Sequence, residues 1–562
     1  MSNLIKQASE EMREIILNTM GRLVGEGKLP AEPVPAFNIE IPADTSHGDF
    51  ATNAAMLCAK AFKMPPRKIA DLICENLILD GSSFERAEAA GPGFINFFLG
   101  RRWFSNTVAS VLEEGKDYGR TDTGACKKIM VEFVSANPTG PMHIGNARGG
   151  AIGDCLASVL SWAGWNVTRE FYVNDAGNQI EKFAASLEVR YLQLYKDGVE
   201  LPEDAYQGAD IVEHAKNFAE IHGDKYVNAS SKERRDALVA YALPINIAGL
   251  ERDLLKYRIK YDVWFKESSL HESGKVMEIV KKLGENGLTY EKEGAVWYKS
   301  TEFGAEKDDV LVRANGIPTY FAADIAYHYN KFAERGFDKV IDIWGADHHG
   351  HVARLKGAMQ ALGIEPSRLD VVLMQMVRLM RDGELVKVSK RTGKSITLAT
   401  LLEEVPIDAA RFFFNLREAN SHFDFDLGLA IEQSSQNPVY YVQYAHARIC
   451  SIIANLEADG VKLEKLSGKD FDILSAPEEV ELIRHLAALP REIDDAAKNY
   501  DPSRITKYSI ELATKFHKFY AACRVKDENK SLCAARLSLC EAVKIVLENC
   551  SEILKIDCPD SM

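Results

Sequence analysis

"VEFVSANPTGPMHIGNARGGAIGD", Val131 to Asp154, starts as an apolar strand-like run, breaks on Pro138 and Pro141, and resumes near Ala147 as a helical pattern of small residues. Glycines and prolines between a strand and a helix build a loop whose backbone can approach a ligand closely. In an open α/β sheet such a loop lies at the carboxyl end of a strand, where ligands bind and where a helix N-terminus attracts phosphate. The spacing is neither the Walker pattern nor GxGxxG. His143-Ile144-Gly145-Asn146 is therefore a phosphate loop of another kind, and for these four residues alone a plain helix-capping histidine is the alternative.

Working outward, the apolar runs "KIMVEFV", "VTREFYV", "KVIDIWGA" and "DVVLMQMV" alternate with helical patterns. That alternation predicts a multidomain α/β chain whose centre is a Rossmann-like parallel sheet with crossover helices, over 119–435. A long, charged, mostly helical insertion is expected at about 178–308. Ahead of it, 1–118 reads as a small α/β domain with a strand "GFINFFL" introduced by Gly91-Pro92-Gly93. Behind it, 436–562 reads as an all-helical bundle, with apolar residues at helical spacing in "ELATKFHKFYAACRV" and "ARLSLCEAVKIVLENCSEIL".

The chain of 562 residues is too long for one core and should divide into roughly three or four domains. Its net charge of −14 is unlike the basic domains of bulk nucleic-acid binders. A local basic face is still sufficient, because only charges within about 10 Å of the phosphates escape screening. No apolar run reaches the roughly 20 residues of a membrane helix, and "MSNLIKQASEEMREI" reads as a charged amphipathic helix rather than a signal peptide. A cytoplasmic location without a membrane partner is expected. The ten cysteines contain no CxxC pair, so no zinc site, disulfide framework or structural metal is expected, and they read as buried thiols.

"HIGN" resembles the HIGH signature of class I aminoacyl-tRNA synthetases. A second motif, Lys387-Val388-Ser389-Lys390-Arg391, follows a turn at Asp382-Gly383 and resembles their KMSKS signature, with Val for Met. Flexible lysines can follow the charge that builds on a pyrophosphate leaving group while a serine donates a hydrogen bond. Glu132, Ser135 and Asn137 share the strand and loop of His143, and Tyr320 and Asp324 stand at i, i+4 spacing in "PTYFAADIAYHYNK". Carboxylates with amide and phenol oxygens suit a planar cationic fork, because a guanidinium is held bidentately by carboxylate. A plain amphipathic helix is the alternative for Tyr320 and Asp324.

Nearly the full length is similar to the bacterial arginyl-tRNA synthetases, on "ANPTGPMHIGN", "WGADHHGHVARLK", "KVSKRTG" and "NPVYYVQYAHARI". The resemblance implies L-arginine, Mg·ATP and tRNA-Arg as substrates of a chain acting as a monomer. It implies a signature region Ala136, Asn137, Pro138, Thr139, Gly140, Pro141, Met142, His143, Ile144, Gly145 and Asn146. Within it His143 and Asn146, with Lys387, Ser389 and Lys390, would be catalytic. Pro138, Gly140, His143, Gly145, Asn146, Gly345, Asp347, His348, Val388 and Lys390 would line the ATP site. Glu132, Ser135, Asn137, His143, Tyr320, Asp324 and His348 would hold arginine. Some relatives carry glutamine where His348 stands. Many lack the second signature lysine and have a lysine where this chain has Gly140; here Lys390 is present, so Lys387 and Lys390 are assigned the phosphate work. Asn96, Tyr441, Tyr444, Arg448 and Met562 would contact tRNA, with core packing the alternative for Tyr441 and a structural role for Asn96. The family also implies that arginine activation waits for tRNA. A nucleotidyltransferase with the same loop would be shorter, the cysteine-specific synthetase would show zinc-ligand cysteines, and a noncatalytic RNA-binding relative would lack His143 or Lys390.

Overall fold

The computed structural model describes residues 3–203, 205–386, 396–461 and 465–562. At its centre five parallel strands lie in the order Leu369–Met374, Lys339–Gly345, Lys128–Glu132, Asn166–Val173 and Val263–Lys266. By chain order this is 5-4-1-2-3, a doubly wound sheet whose direction of progression reverses between Lys128–Glu132 and Lys339–Gly345. Those strands pair in parallel from Lys339 opposite Ile129 to Asp342 opposite Glu132. Both are buried over most of their length, which explains why they read as continuous apolar runs rather than as alternating ones.

Two strand expectations change. "DVVLMQMV" is split at Gln375: Leu369–Met374 joins the central sheet, and Val377–Arg381 pairs instead with Glu384–Leu385 and Phe423–Asp426. The expected helical insertion is interrupted as well. After helices Asn178–Leu192, Ala209–His222 and Ser231–Lys256 the chain returns as the sheet strand Val263–Lys266, then forms an antiparallel sheet of Thr289–Lys292, Ala295–Tyr298 and Asp309–Val312. The edge strand is only four residues long, and its periodicity is too short to stand out among helices.

Helix Ile144–Trp162 lies between the sheet and the C-terminal bundle, and every residue from Ala147 to Leu160 is buried. Its small residues permit this: a Cβ at Gly153 would lie 2.3 Å from the Phe133 ring. At the N-terminus, helix Leu4–Gly25 and a four-stranded antiparallel sheet containing Phe94–Leu99 form the small α/β unit. At the C-terminus, helices Pro438–Ala458, Pro477–Asn499, Ser503–Ala522 and Lys530–Leu554 form the bundle. No helix among the described residues is long and apolar enough to cross a membrane. All ten cysteines are free, and Cys126 is exposed rather than in a core.

Candidate active site

The chain leaves strand Lys128–Glu132 through Val134 and Ser135, both left-handed at φ 68° and 41°. A β-branched valine adopts that region only under tertiary constraint. Here the Tyr261 hydroxyl donates to the Phe133 carbonyl at 2.9 Å. Ser135 Oγ accepts from the Tyr172 amide at 3.1 Å and donates to Glu132 Oε1 at 2.9 Å. Further along, Pro138 is buried and its carbonyl accepts from Asn246 Nδ2 at 3.0 Å, so the long helix Ser231–Lys256 braces the loop. Gly140 lies beside Asp210.

The helix begins at Ile144, three residues ahead of the expected start. Its N-terminus therefore falls inside the HIGN sequence, and its free N–H groups and positive dipole end lie at the sheet's switch point. His143 occupies the N-cap position, yet its side chain makes no capping bond and is exposed. Gly145 has open space around it and Asn146 is half-buried. The neighbouring strand ends at Gly345, whose turn exposes Asp347 and His348, with 3.8 Å between His348 Nε2 and Asp347 Oδ2.

Lys387, Val388, Ser389 and Lys390 lie outside the described residues. The chain just beyond them is tied to the HIGN loop: Thr397 bridges His143, and the Leu398 amide donates to the Met142 carbonyl at 2.9 Å.

Beside this crevice Tyr320 and Asp324 occupy the first turns of helix Tyr320–Tyr329, capped by Thr319. The Asp324 carboxylate, with burial adding to it, raises the Tyr320 phenol above its ordinary range. His351 Nε2 lies 2.9 Å from Asp324 Oδ2. Glu132 forms the floor. Besides Ser135, it accepts from the Tyr327 hydroxyl at 2.9 Å and from Lys331 Nζ at 2.6 Å, and burial raises its carboxyl. Its charge is therefore matched within the protein.

A further carboxylate, Glu267, stands in this pocket and carries no signal in the sequence, since "FKESSL" reads as a surface turn. It is 4% exposed, and burial raises its carboxyl. The Asn174 amide, oriented to satisfy its neighbours, donates to Glu267 Oε2 at 2.9 Å. Burial first, and the neighbouring Glu267 and Asp324 carboxylates next, raise the Tyr172 phenol. The Asn137 amide lies 3.2 Å from Asn174 at the pocket's open edge.

In the bundle, Tyr441 packs on His517 with ring centroids 5.1 Å apart, and Tyr444, 41% exposed, stacks with Tyr440 at 6.4 Å. The Arg448 guanidinium lies 4.4 Å from the centre of the Tyr520 ring. The chain end runs along the same helix, where His446 Nδ1 meets the Pro559 carbonyl at 2.9 Å and Gln443 Nε2 donates to the Asp557 carbonyl at 3.0 Å. Met562 is half exposed. Asn96 differs from the expectation of a base contact. It shares the outer face of its strand with Phe94 and Phe98, but only 4% of it is exposed, because it is flanked by strands Phe50–Thr52 and Phe84–Ala90.

Three family models match in succession: the arginyl tRNA synthetase N-terminal domain over 3–99, the class I (R) tRNA synthetase catalytic domain over 107–449, and the DALR anticodon-binding domain over 442–562. The arginine–tRNA ligase of Caldanaerobacter subterraneus is 56% identical over 100% of both chains, and that of Ruminiclostridium cellulolyticum is 54% identical, likewise over 100% of both. The Thermus thermophilus arginyl-tRNA synthetase shares the fold with a TM-score of 0.72 at 20% identity, covering 99% of this chain and 100% of that one.

Proposed function

The chain belongs to the arginine–tRNA ligases, class I synthetases that join arginine to its tRNA, and from that premise we propose how its residues divide the reaction. Mg·ATP enters at the switch point. Pro138, Gly140, Gly145, Gly345, Asp347 and His348 line its seat, and His143, Asn146 and the first-turn amides of helix Ile144–Trp162 meet its phosphates. Arginine lies alongside. Asp324 and Glu267 face its guanidinium with the Tyr320 hydroxyl, Glu132 and Ser135 form the floor, and Asn137, His143 and His348 hold its amino-acid end at the crevice.

The arginine carboxylate attacks the α-phosphorus in line and pyrophosphate leaves. The terminal ribose hydroxyl of the tRNA, the 2'-hydroxyl in class I enzymes, then displaces AMP from the adenylate. No protein nucleophile takes part, so acceleration comes from positioning and from charge stabilisation. Lys387 and Lys390, with Ser389 and the Val388 backbone, supply the positive charge that follows pyrophosphate. The pairing of Thr397 and Leu398 with His143 and Met142 supports this, because it ties the described chain that follows the signature to the HIGN loop.

The domains follow as 1–118 for the tRNA elbow, 119–435 for chemistry and 436–562 for the anticodon. Tyr441, Tyr444, Arg448 and Met562 form the anticodon face, stacking on splayed bases. Asn96 contributes at the elbow only if tRNA opens its covering. As the family resemblance implies, the chain works as a monomer in the cytoplasm.

The observation that carries this reading is the buried carboxylates Asp324 and Glu267, the latter linked through Asn174 to Asn137 on the loop that leads into the uncapped N-terminus of helix Ile144–Trp162. ATP–pyrophosphate exchange with each amino acid, in the presence of tRNA, tests it. Exchange should depend on arginine alone; comparable exchange with lysine or citrulline would overturn the pocket assignment.

A further inference from the structure

His351 is not among the residues that the motifs single out, yet it is the group in contact with Asp324. It projects from helix His349–Ala361, and its Nε2 lies 2.9 Å from Asp324 Oδ2. The imidazole is fixed by its neighbours. Its ring lies 5.6 Å from Trp344, 5.6 Å edge-on to Phe321 and 6.5 Å from Tyr320. Only 16% of its side chain is exposed, and 9% of that of Asp324. Asp324 Oδ1 has no protein partner among the described residues.

We propose that His351 is a positioning and specificity-determining residue for arginine, acting through the orientation of Asp324. This rests on the assignment of Asp324 to the guanidinium. With its proton on Nε2, His351 donates to Oδ2, fixes the plane of the carboxylate, and leaves Oδ1 to the substrate.

The other charged groups around His351 do not take its place. Tyr320 and Asp324 face it from helix Tyr320–Tyr329. On its own segment His348 points to Asp347, and the Arg354 guanidinium pairs with Asp309 while lying 4.6 Å from the Phe321 ring centre. Across the pocket burial raises the Glu267 carboxyl, and the Asp324 carboxylate adds to it.

The test is the Kd for arginine from calorimetry, with KM and kcat for tRNA charging. Wild type is compared with His351→Gln, His351→Phe and Asp324→Asn. His351→Phe should bind arginine about tenfold more weakly and raise KM with little change in kcat, as for the loss of one hydrogen bond to a charged group. His351→Gln, whose amide still donates, should recover most of that loss. A His351→Phe variant that binds as wild type would overturn the positioning role, and so would a His351→Gln variant that binds no better than His351→Phe. If Asp324→Asn binds arginine normally, the pocket assignment itself fails. If Asp324→Asn is impaired while the His351 variants behave as wild type, only the proposal for His351 fails.

Discussion

Lys331 is the residue on which the pocket floor depends. It is fully buried and its ammonium bridges Glu132 Oε2 at 2.6 Å and Asp342 Oδ1 at 2.9 Å, while His328 Nε2 meets Asp342 Oδ2 at 2.7 Å. It points inward because helix Tyr320–Tyr329 ends in a wide π-turn, Asn330–Glu334, which shifts the phase of the side chains by one residue. Lys331→Met leaves the buried carboxylates of Glu132 and Asp342 without their shared cation. A loss of about 3–5 kcal/mol in urea unfolding is expected, as for breaking a buried ion pair by removing one partner. A change below about 1 kcal/mol would place the ammonium outside the energetics of the fold. Burial alone would raise the Asp342 carboxyl, but the Lys331 ammonium and then His328 outweigh it and hold it at about 2, against an ordinary 3.8. A depressed carboxyl stabilises the fold above its unfolded value and loses that contribution as pH falls through the folded one. The stability difference between wild type and Asp342→Asn should therefore shrink between about pH 4 and about pH 2. A difference constant over that range would show that the cluster does not titrate with the fold.

Among the elements, helix Ile144–Trp162 joins chemistry to recognition. Its N-terminus lies at the crevice and its buried middle is fixed from three sides. Asp154 accepts from Arg169 at 2.9 Å and from Arg411 at 2.6 Å, and Arg411, itself fully buried, also donates to the carbonyls of Tyr257 and Leu554 at 3.0 Å each. One guanidinium thus fastens helix Ile407–Phe414, the phosphate-loop helix and the last bundle helix together. Arg411→Met removes these three donated bonds without creating a large cavity. It should cost about 3–5 kcal/mol, because two carbonyls and part of a carboxylate are left unpaired in the interior. Thermal unfolding should show it as a fall in the main transition; an unchanged midpoint would mean that apolar packing alone docks the bundle.

Across the whole molecule those contacts form a continuous path. The anticodon bundle reaches Arg411 through Leu554, helix Ile407–Phe414 follows helix Leu398–Glu404, and Thr397 at the head of that helix pairs with His143. A bundle that grips tRNA could bias the segment beside the phosphate loop toward its working position, which is a population shift between states. Pyrophosphate exchange with arginine and ATP should then be slow without tRNA. By reciprocity of binding, arginine with ATP should tighten tRNA. A full exchange rate in the absence of tRNA would refute this coupling and leave the ligase activity untouched.

The sequence by itself determined the sheet, the terminal bundle and the strand-to-helix loop at HIGN, because each is written in local patterns. Strands buried on both faces read as apolar runs, bundle helices repeat their apolar positions every three to four residues, and HIGN and KVSKR stand at the ends of such runs. It also placed Tyr320 and Asp324 together, since helical spacing is a local property. Only the tertiary structure brought Glu267 and His351 to that pocket. Their chain neighbours read as a surface turn and a histidine-rich loop, and what sets them apart is their placement beside a carboxylate contributed by another helix. The same holds for Lys331, a lysine whose charge is tolerated inside because Glu132 and Asp342 arrive from two adjacent parallel strands. Strand order decided these meetings: the sheet reverses direction between Lys128–Glu132 and Lys339–Gly345, and residues more than two hundred positions apart in the chain share one crevice there.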